Sequence, residues 1–462
     1  MKHILGGRDA DMTHGNIMKQ IISFSLPMAL GLLFQQMYNT VDTIVVGRFV
    51  SYQALAAVGT TGSIVNMLVG FSAGLSTGAG VVISQAYGAH DQARLDKAVH
   101  TSLAITLILC VILTVLGLVI IDPMLRFMQI PDDVWNEAKE YLTIYFAGLT
   151  ALLLYNMGSA ILRAVGDSSR PLIILIVASV VNVIGDLLFV VRFRIGVAGA
   201  AYATVMSQGA SAIMVLWILS RVKEGYGIRW RRIRLDKPSV KSIMMIGLPS
   251  GLQQAVTAFS NVFVQSYTNY FGSAAMAGWA SYNKLDSYLS IPVQSIAMAS
   301  STFVGQNAGA HDLERARKGA RTSVIMGLVV TVALSVLIML LARPAISLFT
   351  NEEEVIEYGV FYVRLISPFF VTLVFNQVYA GALRGIGNSL TPMLVMLGSF
   401  VVFRQIYLAT VKALGNALVP ISLAYPMGWI MCSVLISISY HRSVLGKKKT
   451  DAPDPFEKEA QT

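Results

Sequence analysis

The chain has 462 residues, of which 55% are hydrophobic and only 13% charged, with a mean hydropathy of +0.63 and a formal net charge of +10 at pH 7. Its apolar runs repeatedly exceed the roughly 20 residues a spanning helix needs, which defines an all-α polytopic membrane protein and leaves no soluble domain of any size. The runs do not alternate as β-barrel strands would, and the basic residues fall in short segments between them, where the positive-inside rule explains them better than nucleic-acid binding.

Residues 1–20 are polar and read as a cytoplasmic N-terminal segment without the pattern of a cleaved signal. The first half, 21–220, is predicted to hold six helices: one ending near Gly47, then about Gln53–Ser84, Ala98–Ile121, Trp135–Leu162, Pro171–Val191 and Gly196–Ser220. Residues 221–241 form a basic cytoplasmic linker with eight Lys or Arg against two acids. Six more helices are predicted in 242–441, at about Ile243–Tyr270, Ala274–Val304, Thr322–Ala342, Tyr358–Leu383, Pro392–Val411 and Val419–Tyr440. The tail, 442–462, is charged, lacks apolar periodicity and reads as disordered and cytoplasmic. With the N-terminus inside, the inward segments carry most of the 35 Lys and Arg, and the outward segments 122–137 and 352–357 are acidic.

The two halves are copies. QAYGAHDQARLDK at 85–97 recurs as QNAGAHDLERARK at 306–318, with seven of 13 positions identical. LRAVGDSSRP at 162–171 recurs as LRGIGNSLTP at 383–392, and the Asp122-Pro123 pair as Arg343-Pro344, all at one spacing of 221 residues. Because each half has an even number of helices, both enter the membrane from the same side, so this is a parallel repeat about an axis along the membrane normal. Secondary transporters use that architecture, with a site near the midplane. A structural scaffold would not need buried acids.

Acids inside spanning helices are costly and mark function. Asp42 and Asp186 each lie six residues before an arginine, Arg48 and Arg192, at an outer helix end, so they share a depth. Asn182 sits one helical turn from Asp186, and Thr204 enters the sixth helix near the same level. This hard-oxygen set suits either a sodium ion or a proton shared between two acids. Pro27 marks where the first helix would bend. The second half does not repeat the group, since Val264, Phe403 and Tyr407 occupy the equivalent positions. It carries its own charges instead, Lys284, Asp286 and Arg404, read as a second-lobe network.

Polar residues deep in helices are candidates for a substrate cavity: Gln35, Tyr38, Asn39, Asn156, Gln254, Asn261, Gln294, Asn376 and Gln377. Asn156 and Gln377 are repeat-equivalent, and the 21 Met residues suit a surface that repacks around varied ligands. Within the GAHD motifs, Asp91 and Asp312 are expected to cap the following helices. His90 and His311 have no partner at metal-ligand spacing, Cys110 and Cys432 read as packing residues, and no nucleotide or nucleophile motif occurs. The expectation is a protein that is not an enzyme, needs no cofactor and runs on an ion gradient.

FSLPMALGLLFQQMYNTVDTIVVGRFV at 24–50, ALAAVG at 54–59, VGQNAGA at 304–310 and the paired LRAVGDSSRP and LRGIGNSLTP segments resemble the multidrug and toxic compound extrusion (MATE) family over nearly the whole chain. The resemblance implies two six-helix lobes, helices 1–6 and 7–12, forming a V-shaped antiporter that exports cationic or amphipathic compounds in exchange for H+ or Na+. It further implies a cation site in the first lobe at Asp42, Asn182, Asp186 and Thr204, accompanied by a helix-4 tyrosine, Tyr141 or Tyr145. Some members place an essential acid in the second lobe at positions that are apolar here, whereas the Lys284-x-Asp286 arrangement matches another prokaryotic branch. The expected setting is the prokaryotic inner membrane, with the protein a monomer acting on organic cations. The competing reading is a flippase or exporter of lipid-linked precursors or metabolites from the same superfamily.

Overall fold

The computed structural model describes residues 11–50, 52–128, 130–415 and 417–446, and among them the apolar runs are all helical. Grouped across their breaks they make twelve: α1 Ile17–Phe49, α2 Tyr52–Gly88, α3 Gln92–Phe127, α4 Asp132–Ala147 with Leu149–Ala164, α5 Ser169–Arg192, α6 Val197–Arg221, α7 Lys237–Thr268, α8 Ser273–Gly309, α9 Leu313–Leu340, α10 Glu353–Gly385, α11 Leu390–Ala413 and α12 Ala424–Arg442. Eight of these are long and apolar enough to cross a bilayer by themselves, and the bent α4 makes a ninth. The first ten residues and the tail from 447 on lie outside the described residues.

Capping chemistry, more than hydropathy, sets where α3 and α9 start. α9 begins nine residues before the apolar run expected at Thr322, because Asp312 accepts a hydrogen bond from the Arg315 N–H at 2.8 Å. The copy in the first half behaves alike: Asp91 accepts from the Arg94 N–H at 2.9 Å and starts α3. Each cap satisfies an N–H that would otherwise lack a partner. His90 and His311 precede the caps in the left-handed region, at φ 54° and 59°. The second repeated motif is conformationally duplicated too, with Gly166 at φ 87° and Gly387 at φ 90°. Asp167 accepts from the N–H groups of Ser169 and Arg170, while its counterpart Asn388 accepts from that of Thr391.

The chain packs as two units. Among the described residues, the first comprises 30–86 and 91–251, and the second 11–29, 87–90 and 252–446. α7 begins in the first unit because its glycines meet those of α2: a Cβ on Gly74 would stand 2.3 Å from the Gly251 nitrogen, and one on Gly78 equally close to that of Gly247. α1 continues through Pro27 as one helix. In the second unit the chain before α1 is tied down, with the Met12 N–H donating to Gln306 Oε1 at 2.9 Å and Asn307 Nδ2 donating to the Met12 carbonyl at 3.1 Å.

Candidate functional site

The first unit gathers its acids from α1 and α5. Asp186 is fully buried and is the last residue of regular α-helix before a π-helical turn, Leu187–Arg192. π-turns recur at functional sites, since the extra residue swings side chains out of helical register. Gly185 lets α5 approach α6 closely, as a Cβ there would stand 2.9 Å from that of Ala203. Thr204, the next residue, is half-buried at this level.

Asp42, half-buried on α1, stands beside the Asp186 carboxylate. Apart from each other's carboxyl, neither oxygen of Asp186 has a hydrogen-bond partner among the described residues, nor does Oδ1 of Asp42. Asn182 is fully buried and both atoms of its side-chain amide are likewise unpartnered. Two adjacent carboxylates, one buried and one half-buried, repel and lose hydration, so the arrangement calls for a proton or a cation between them.

Both candidate tyrosines are buried here, but in different roles. Tyr141 lies close to both Asp42 and Asp186. Tyr145 stacks on Tyr141, with ring centroids 6.3 Å apart and planes at 19°, and its hydroxyl faces Gln208 of α6. Gln208 was absent from the expected set; its single amide in an otherwise small and apolar stretch of α6 was the available signal. The tyrosines are aimed by the 47° bend of α4 at Gly148, where a Cβ would meet Val205 at 2.4 Å. Val45, Val46, Leu142 and Val190 pack around the group in one apolar cluster.

The other polar candidates scatter. Tyr38 sits among Gln35, Asp42 and Tyr145, whereas Asn39 is exposed. Asn156 Nδ2 donates to Ser72 Oγ at 3.1 Å. Gln254 is half-buried, next to Gln253, whose Oε1 accepts from Arg384 at 2.6 Å.

In the second unit, Asn261, Gln294, Gln377, Asp286 and Arg404 line a cavity of about 300 Å³ with several aromatic side chains. Two expectations are corrected there. Asn376 does not line it: fully buried, it donates to the Trp429 carbonyl at 3.2 Å and accepts from the Ser433 hydroxyl at 2.8 Å, clasping α10 to α12. Gln377, one residue on, takes the cavity position, because successive helical residues point in different directions. Nor does Lys284 join Asp286 and Arg404 in a network. It is exposed over the Phe349 ring at 5.9 Å, since residues two apart on a helix do not share a face.

The equivalents of the first-unit site carry no carboxylate. Val264 is buried among Leu408, Ile421 and Ala424, and Tyr407 donates its hydroxyl to the Pro420 carbonyl at 3.0 Å. Among the described residues no cluster of three or more His, Cys, Asp or Glu forms a metal centre.

Fold and site together define a multi-pass α-helical membrane protein with a duplicated six-helix design and a carboxylate pair in its first half. The chain belongs to the MatE family, whose model matches residues 27–188 and again 249–410. It is 28% identical over 391 residues to the probable multidrug resistance protein YoeA of Bacillus subtilis, spanning 83% of this chain and 84% of that one. To the probable multidrug resistance protein YpnP of the same organism it is 28% identical over 396 residues, 84% of this chain and 87% of that one. Of solved structures, a MOP superfamily transporter from Pyrococcus furiosus superposes with a TM-score of 0.89 at 25% identity, covering 96% of this chain and 99% of that one.

Proposed function

We propose that this protein exports cationic or amphipathic organic compounds by exchange for H+ or Na+, using alternating access. The observation that carries the reading is the carboxylate pair of half-buried Asp42 and buried Asp186, set beside the unpartnered side chain of Asn182 in membrane-spanning helices. A fixed pair of acids costs free energy unless a proton or cation joins it, so its occupancy is available to drive a two-state cycle. Family membership and the names of the Bacillus subtilis relatives support drugs as substrates. Tyr141 would hold the pair in register, and Thr204 would supply a further oxygen to a bound sodium ion. The protein is assigned to a prokaryotic plasma membrane with both termini cytoplasmic, on the distribution of its basic residues.

The test is efflux of a fluorescent organic cation from proteoliposomes under a pH gradient and a Na+ gradient applied separately, for the parent and for Asp42→Asn and Asp186→Asn. Transport driven by one gradient and abolished in both variants is expected. Undiminished gradient-driven efflux by Asp186→Asn would overturn the assignment.

A further inference from the structure

The second-unit cavity is built from opposite charges that do not meet. Arg404, only 3% exposed, donates from Nη2 to Ser260 Oγ at 3.0 Å and Asn261 Oδ1 at 2.8 Å, while its Nε has no acceptor among the described residues. Asp286 opens onto the same cavity, and apart from the neighbouring Tyr282 hydroxyl its Oδ1 has no donor among the described residues. The two make no ion pair with each other. Between them runs an aromatic wall: the Arg404 guanidinium lies 4.7 Å from the Tyr425 ring centroid, Tyr425 lies 5.4 Å from Trp279, and Trp279 lies 5.2 Å from Tyr282.

A buried cation and a half-buried anion, each with an unused hydrogen-bonding atom, are costly alone. One ligand carrying both complementary charges would satisfy both. We propose that this cavity binds aromatic zwitterions, with the ligand carboxylate on Arg404, its ammonium on Asp286 and a ring between them against Tyr425 and Trp279. At about 300 Å³ the space is at the small end of ligand sites and suits a one- or two-ring compound. A purely cationic ligand would face the uncompensated guanidinium. Such a site differs from the carboxylate pair of the first unit in position and in ligand, and does not rest on any ion coupling.

Because Trp279 and Trp429 line the cavity, tryptophan fluorescence of the purified full chain in detergent, with no gradient, reports occupancy. Three probes are titrated: 4-(aminomethyl)benzoate, benzylamine and 4-methylbenzoate. The zwitterion is expected to bind at least about tenfold more tightly than either singly charged probe, the effect of one charge-assisted hydrogen bond. Arg404→Gln should reduce it to the benzylamine level and Asp286→Asn to the 4-methylbenzoate level, with Arg404→Lys retaining part of the preference. The probe series on the unmodified protein decides the question even where a variant folds poorly. Equal affinity for all three probes, tightest binding of benzylamine, or a preference unchanged in folded Arg404→Gln would overturn the proposal. Since binding is read at equilibrium, failure of gradient-driven efflux and failure of this site give separate results.

Discussion

Among the residues around Asp42 and Asp186, the two tyrosines of α4 make different contacts and should respond differently to loss of their hydroxyls. Tyr141 borders both carboxylates, whereas Tyr145 is turned toward Gln208. Tyr141→Phe, which takes a hydroxyl away from beside the carboxylate pair, is expected to lower initial rates of gradient-driven efflux about tenfold or more, and Tyr145→Phe only a few-fold. Equal effects in a proteoliposome assay would show that the acids do not use Tyr141. Lys284, exposed over Phe349, should tolerate Lys284→Ala with a stability change within about 0.5 kcal/mol in detergent unfolding. By contrast, Asn376→Leu removes two buried hydrogen bonds, one donated to the Trp429 carbonyl and one accepted from the Ser433 hydroxyl. It is expected to cost about 1–3 kcal/mol.

At the scale of helices, two devices position the sites: π-turns and glycine contacts. A π-turn follows Asp186 in α5, and another, Gly398–Phe403, immediately precedes Arg404 in α11. Each shifts register next to the charged residue of its own half, though the two turns are not at repeat-equivalent positions. The contact between α2 and α7 tolerates no side chain at Gly78, so Gly78→Ala should lower thermal stability by about 1–3 kcal/mol through overpacking. Caps make a third, smaller contribution. Asp236 opens α7, accepting from the Ser239 hydroxyl at 2.8 Å and its N–H at 3.1 Å, and these bonds hold its carboxyl below the ordinary 3.8. A depressed acid adds stability that is present above its unfolded value and lost as pH falls through the folded one. Melting temperature should therefore drop below about pH 4 in the parent, and this part of the drop should vanish in Asp236→Asn.

For the whole molecule, duplication produced two halves of one helical plan with different chemistry: one with a carboxylate pair, the other with separated opposite charges. Topology at this scale is open to direct measurement. With Cys110 and Cys432 buried, a membrane-impermeant maleimide reports added cysteines alone. Glu354→Cys is expected to label in intact cells and Arg231→Cys only after permeabilisation; the reverse pattern would invert the assigned orientation. Much of this plan was legible in the chain itself. Hydropathy, turn residues and caps act over a few neighbouring positions, so the helices, the repeat, the Asp91 and Asp312 caps and the acids of α1 and α5 could be read without coordinates. Which side chains meet was decided only by tertiary structure, because it depends on how each helix is rotated and how closely its glycines let another approach. That geometry separated Tyr141 from Tyr145, brought in Gln208, turned Asn376 into a clasp and set Lys284 apart from Asp286 and Arg404.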